Sequence, residues 1–420
     1  MKNSNNSDTP SIVVDLVERS APLPRSEPSE KAKILRDYAH IGNAEMVREW
    51  VSVASEGDLK EEAEFQGRSA LALAAAAGHV DCVALLLPHA TDRSAHDAIW
   101  MAAQKGHAEC IRLLEPEKRH PSAAWNAISV AASIGSAECL RLLIPALSSK
   151  KWIESAIPLA LQNAAGAGSV ECLETLLAGM PDEKNDIPRF LQIALNHALI
   201  AAAGEGRIDC ARFLLARGAD PKSQDMDGRT ALWFAANGGI VGWNLNRPNH
   251  AGHVECTRLL APVSDAHVAP SAKPGQTPLW MALEGAMWYQ EAADCVLHLA
   301  PFSDVTREDH AWEAEKGQLV SCLRVAESRT KEIPNAPHLW ATLDVLAAQL
   351  PLAELQELAA RSEVARLPRV SAIIEAKELA DIVSASRQQS LSPSFGAKEN
   401  GVNAASQSVA SPPKRAARKL

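Results

Sequence analysis

Apolar positions along this chain come in short blocks, and the blocks come in pairs. In ALALAAAAG (70–78), Leu71, Ala74 and Ala75 share one face of a helix, and in DAIWMAAQKG (97–106) Ile99, Ala102 and Ala103 do the same. Ten residues after Trp100 a second block is centred on Cys110, and the same step takes Ala72 to Cys82, Ser129 to Cys139, Gln162 to Cys172, Ile200 to Cys210 and Trp312 to Cys322. With Cys256 and Cys295 these are all eight cysteines, spaced 27 to 46 residues apart. Their surroundings nearly coincide: GHVDCVALLL, GHAECIRLLE, GSAECLRLLI, GSVECLETLL, GRIDCARFLL, GHVECTRLLA, EAADCVLHLA and QLVSCLRVAE. GNAEMVREWV precedes them, with Met46 in the cysteine position.

Each period predicts a helix, a tight turn, a second helix and a loop. The glycine between the blocks (Gly78, Gly106, Gly135, Gly168, Gly206, Gly252) suits a helix C-terminus that needs positive φ. An acid follows in the first turn of the second helix (Asp81, Glu109, Glu138, Glu171, Asp209, Glu255), where it complements the helix dipole. Arginine stands three residues beyond several of them, as in Glu109–Arg112, Glu138–Arg141, Asp209–Arg212 and Glu255–Arg258, and marks an exposed edge. Two short helices cannot bury a face by themselves, so like units must stack into a one-dimensional array with a continuous core.

The unit GRIDCARFLLARGADPKSQDMDGRTALWFAANGG (206–239) resembles the ankyrin repeat, in its DGRTAL helix start, its AA-x-x-G helix end and its LLxxGADP loop. KPGQTPLWMAL (273–283) is a second match. The resemblance implies an all-α solenoid of stacked helix-turn-helix units with short β-turn fingers. The expected organisation is an N-terminal disordered segment over 1–30, and an array over 31–330 made of a degenerate first unit and about eight repeats. A worn last repeat and a helical C-terminal cap follow over 331–385, and a disordered tail with a basic end over 386–420. The family usually carries histidine in its TPLH position. Trp100, Trp233, Trp280 and Trp312 stand there, which implies apolar area in place of polar links between repeats. His79, His107 and His253 match the family's turn residues.

Composition agrees with close-packed helices: 47% of residues are apolar, and only 4% are aromatic. A net charge of −9 argues against a nucleic-acid partner. No apolar run is long enough to span a bilayer, and the polar N-terminus lacks a secretory signal, so a cytoplasmic chain is expected. Same-register cysteines in adjacent units lie about a helix-packing distance apart (~8–10 Å), too far for a disulfide, and no CxxC pair offers a zinc site. Neither a metal nor a cofactor is expected, and no catalytic constellation can be assembled, so the chain reads as a non-enzyme.

What remains is binding. The resemblance implies a monomeric scaffold or adaptor that holds another protein on the concave face and fingers. Positions before the turn glycine (Gln104, Lys105, Ser133, Ile134, Glu205) would set specificity. Two insertions between paired helices, 240–250 and 286–290, break the ten-residue step and carry Trp243, Arg247, Trp288 and Tyr289, residue types favoured at interfaces. The tail KRAARKL presents Lys414, Arg415, Arg418 and Lys419 in a pattern like a nuclear-import signal. It supports the alternative reading of a host-directed bacterial effector or regulatory protein, acting in a nucleus or a host cell.

Overall fold

The computed structural model describes residues 30–54, 69–116, 121–147, 150–178, 188–238, 250–271, 276–286, 290–304, 310–311, 319–320, 337–361 and 368–390. Eight helix pairs are among them: α1 (Glu30–Ile41) with α2 (Ala44–Val53), α3 (Ala70–Ala77) with α4 (Val80–Leu86), α5 (Asp92–Lys105) with α6 (Ala108–Leu114), and α7 (Pro121–Ile134) with α8 (Ala137–Leu143). Then come α9 (Lys150–Ala167) with α10 (Val170–Ala178), α11 (Arg189–Gly204) with α12 (Ile208–Ala216), α13 (Ala231–Asn237) with α14 (His250–Leu260), and α15 (Pro278–Gly285) with α16 (Gln290–Leu299). The odd-numbered helices stack on one another in order, and so do the even-numbered ones. The chain divides into two compact units, Met1–Leu350 and Pro351–Leu420.

Local chemistry sets the helix ends. Ser69, Thr230 and Thr277 accept hydrogen bonds through their hydroxyls from the N–H groups of Ala72, Trp233 and Trp280, and Thr91 forms a capping box with Ser94. At the other end Gly78 takes φ +77, its N–H bonds to Ala75 O, and the His79 N–H bonds to Ala74 O. Gly106, Gly135, Gly168 and Gly206 repeat the left-handed turn. Two alanines one turn before each glycine (Ala74 and Ala75, Ala102 and Ala103, Ala131 and Ala132, Ala164 and Ala165, Ala202 and Ala203) are fully buried, because only a methyl fits between helices stacked this closely.

The cysteines occupy one seat. In α4, α6, α8, α10 and α12 each is the third residue of the helix, and all seven described cysteines are at most 2% exposed. Met46, in α2, holds the same register but is only half-buried. Cys322 lies outside the described residues.

A turn residue links each repeat to the one before. The His79 ring nitrogen Nε2 lies 3.1 Å from His40 O, and the same atom of His107 lies 3.1 Å from Ala76 O. Arg207 does this further along, donating from Nε to Gly166 O at 3.1 Å. Each of these side chains lies where the preceding turn glycine would carry a Cβ: 2.5 Å at Gly42, 2.7 Å at Gly78 and 2.9 Å at Gly168. At Gly106 the space is open, with Ser136 no nearer than 4.0 Å. Gly106→Ala should therefore cost about 1 kcal/mol, the left-handed penalty alone, and Gly78→Ala about 2–3 kcal/mol, since it also displaces the His107 ring. Urea unfolding of the two variants checks the difference; equal losses would mean the ring does not hold that seat.

Four expectations need correction. Gly252 does not end a first helix: it lies inside α14, and Gly238 (φ +32) closes α13 instead. The insertion separates the paired helices there, so α14 starts early enough to absorb Gly252. Trp233 does not simply exchange a polar link for apolar area, and Trp312 lies outside the described residues. Trp233 is 4% exposed, yet its indole N–H donates to Gln276 O in the next repeat at 2.8 Å. Around Trp312 a helix pair was expected, but His310–Ala311 and Leu319–Val320 form a two-residue antiparallel ladder, β1 and β2. Glu315 there takes the place of the second alanine of the pair, so the apolar stripe is interrupted. The tail was placed over 386–420 with only its end basic, but helix α19 continues to Ser390.

The expected last repeat contributes α17 (Pro337–Ala348), which packs on α16. In the second unit α18 (Leu352–Arg361) and α19 (Pro368–Ser390) pack together, with Gln356 Nε2 donating to Glu378 Oε1 at 2.8 Å.

Candidate functional site

The face of the odd-numbered helices opposite their partners carries a groove of about 810 Å³, centred on α9, α11 and α13 and bordered by one finger. Its floor is made of small residues, Gly166, Ala167, Ala201 and Gly204, which stand where longer side chains would close it. Ser133 and Gln162 line one end, His197 and Glu205 the middle, and Phe234 and Asn237 the other.

The finger, residues 220–230, is a braced turn. Asp225 Oδ1 accepts the N–H of Asp227 at 3.0 Å and that of Arg229 at 2.8 Å, and Gln224 and Thr230 form a β-bridge. Gly228 takes φ +82, with Ser271 Oγ 3.0 Å from where its Cβ would be, and Ser271 N–H donates to Asp227 O on the adjoining loop. Arg229 donates from Nε to Asp225 Oδ2 at 2.8 Å, and its Nη2 lies 2.6 Å from Asp227 Oδ2. Its guanidinium sits over the Phe234 ring at 4.8 Å and over Trp233 at 5.5 Å. The cation is thus committed to the finger and two rings, while Met226 at the tip is fully exposed. Asp225 and Arg229 of the finger line the groove beside Glu205, and the guanidinium is paired with Asp225 and Asp227.

Asn237 differs from its neighbours. It is 2% exposed, it lines the groove, and its amide oxygen has no hydrogen-bond partner. A buried acceptor left unpaired costs about 1–3 kcal/mol.

Of the residues singled out from the sequence, Glu205 and Ser133 line this groove. Gln104 and Lys105 end α5, half-buried and exposed respectively, outside its lining, and Ile134 is exposed at the end of α7. Trp243, Arg247, Trp288 and Tyr289, with Lys414, Arg415, Arg418 and Lys419, lie outside the described residues. Sequence reasoning missed His197, Arg229, Phe234 and Asn237. For the first a signal existed: positions thirteen, ten, six and five before each cysteine share one helical face, which gives His197, Ile200, Gly204 and Glu205. Asn237 stands directly before the turn glycine Gly238, and Arg229 and Phe234 follow only once the finger is placed.

The even-numbered helices present a different surface. Arg112 lies 3.4 Å from Glu109 in its own helix and 3.4 Å from Glu138 in the next repeat, while Arg141 lies 2.7 Å from Glu171. All these side chains are more than half exposed, so each pair contributes at most about 0.5 kcal/mol.

The thiols are sealed. Burial pushes the Cys256 thiol up to about 12, with Cys295 and Glu255 adding to it. Burial likewise raises Cys110, beside Glu109, and Cys210, beside Asp209, each to about 11. Among the described residues no group of three or more His, Cys, Asp or Glu side chains could hold a metal ion, and no helix is long and apolar enough to cross a membrane.

A family model for ankyrin repeats matches the chain in three copies, over residues 35–123 and 161–243. Among solved structures, the human ASB11 ankyrin repeat domain is similar at 21% identity with a TM-score of 0.36, over 50% of this chain and 90% of that one. No curated protein sequence matches.

Proposed function

We propose, from the premise that this chain is an ankyrin-repeat protein, that it is a non-catalytic scaffold that holds a partner protein on the odd-helix face. Ankyrin repeats are generally protein–protein interaction modules. The observation that supports this face over the other is the groove: small residues hollow it out at α9 and α11, and a braced finger borders it. A partner that fills it gains the removal of apolar floor from water, at about 25 cal/mol per Å². The even-helix face carries self-paired, solvated charges that add little to association.

The test uses the full chain as bait, followed by identification, purification and titration of the bound protein. Gln162→Arg puts a long cation at an exposed groove position and should weaken binding about tenfold or more, a loss of about 1.4 kcal/mol or more. Glu174→Arg, on the exposed side of α10, should leave affinity within about twofold. The reverse order of effects would move the binding surface to the even-numbered helices.

A further inference from the structure

The first helix pair presents an apolar outer face. Counting back twelve and eight residues from a cysteine gives Ala98 and Ala102 in α5, Ala127 and Ala131 in α7, and Ala198 and Ala202 in α11, all fully buried. Counted back from Met46, the same positions are Ile34 and Tyr38 in α1. Ile34 is 43% exposed and Tyr38 is half-buried. Leu35 and Ala39, one residue further along, stay fully buried, and α1 packs on α2 and α3. The side that has opened is therefore the one that, in each later repeat, the preceding repeat covers. Met46 and Trp50 in α2 open with it: both are half-buried, where their counterparts Cys110 and Leu114 are fully buried. The end of a repeat array needs a polar outer face or a cover, and this end has apolar side chains. Isoleucine and tyrosine are also too large for the close helix contact that alanine permits, so they suit a thinner cover than another helix pair.

We propose that residues 12–17 of the same chain, IVVDLV, lie extended across this end and close it. They stand outside the described residues, and they are the one apolar run in the sequence before α1. Ile12, Val13, Val14 and Val17 are β-branched, which favours an extended backbone. In that form Ile12, Val14 and Leu16 share one side, and Val13, Asp15 and Val17 the other. Residues 18–29 join the segment to α1 and can span about 40 Å, more than twice the ~18 Å length of that helix. A tether this short holds the segment at an effective concentration of about millimolar, which favours it over a second copy of the chain at micromolar concentration. The surface is separate from the groove of α9, α11 and α13, so it stands or falls independently of the docking face.

The test is made on the purified full chain, with the photoreactive residue p-benzoylphenylalanine in place of Tyr38. Irradiation of an equal mixture of unlabelled and nitrogen-15-labelled chains, followed by peptide mass spectrometry, should join residue 38 to residues 12–17 within one chain. Links between labelled and unlabelled chains would place a second copy on this end and overturn the proposal. So would the lack of any link to residues 12–17. Hydrogen exchange on single variants that keep Tyr38 checks the placement separately. Val14→Asp puts a carboxylate on the inward side and should speed exchange of the α1 amides about fivefold or more. Val13→Asp, on the outward side, should change it less than about twofold. The reverse order, or equal effects of the two, would overturn the extended placement.

Discussion

Leu173→Ala should destabilise the array by about 3–4 kcal/mol and split its unfolding into two steps. Leu173 is fully buried in α10, and α10 touches α8, α9 and α12. Removing the isobutyl group loses the transfer free energy of the side chain and leaves a cavity that rigid helix pairs fill only in part. In a compact domain that loss would lower one transition. Here each repeat touches only its neighbours, so a weak link near the middle uncouples the units before it from those after it. Urea unfolding followed by circular dichroism should show a second transition absent from the parent chain. Thr175→Ala in the same helix, losing only a hydroxyl bonded to Glu171 O, should change stability by less than about 0.5 kcal/mol. A single transition shifted as a whole would mean that the array folds as one cooperative body.

The second large effect is in thiol chemistry. The thiolate is the reactive species, and raising a thiol from 9 to about 12 cuts its thiolate fraction at pH 8 about a thousandfold, before any loss of access. The seven described cysteines should therefore resist Ellman's reagent in the native chain and react within seconds to minutes once urea unfolds it. Fast native reaction at Cys110, Cys210, Cys256 or Cys295 would contradict the seating. The same shifts set a pH dependence. The folded state holds these protons more tightly than the unfolded state, so stability is fully present below about pH 9. It declines as pH rises through the window from 9 to about 12. Denaturant midpoints measured from pH 7 to 11 should be flat at first and then fall.

The architecture was legible because its markers are local. A helix that must end in a left-handed turn selects glycine, the next helix start selects an acid, and the first inward position selects a small apolar residue. Glycine, acid and cysteine thus recur together at Gly106, Glu109 and Cys110 and again at Gly135, Glu138 and Cys139. The same rule misplaced Gly252, because the intervening insertion let α14 begin early and made the glycine redundant. It also failed beside Trp312, itself outside the described residues: Leu319–Val320 pairs as a strand with His310–Ala311, and the sequence there keeps the cysteine spacing but not the alanine pair.

The groove was only half legible. Glu205 and Ser133 follow from helical register, because they sit on the same face two repeats apart. Arg229 and Phe234 come together through the finger. Asn237 does stand directly before the turn glycine Gly238, but the Arg229–Phe234 contact depends on how a turn folds back over α13, and no periodic pattern encodes that. Trp233 shows the same limit: its position predicts burial, but its bond to Gln276 O needs the next loop in place.

Hydrogen exchange on the full chain, free and with the identified partner bound, tests the docking face most directly. Amides of residues 197–205 and 225–237 should exchange more slowly in the complex, with α8 and α10 unchanged. Slowing confined to α8 and α10, with the groove unaffected, would contradict it.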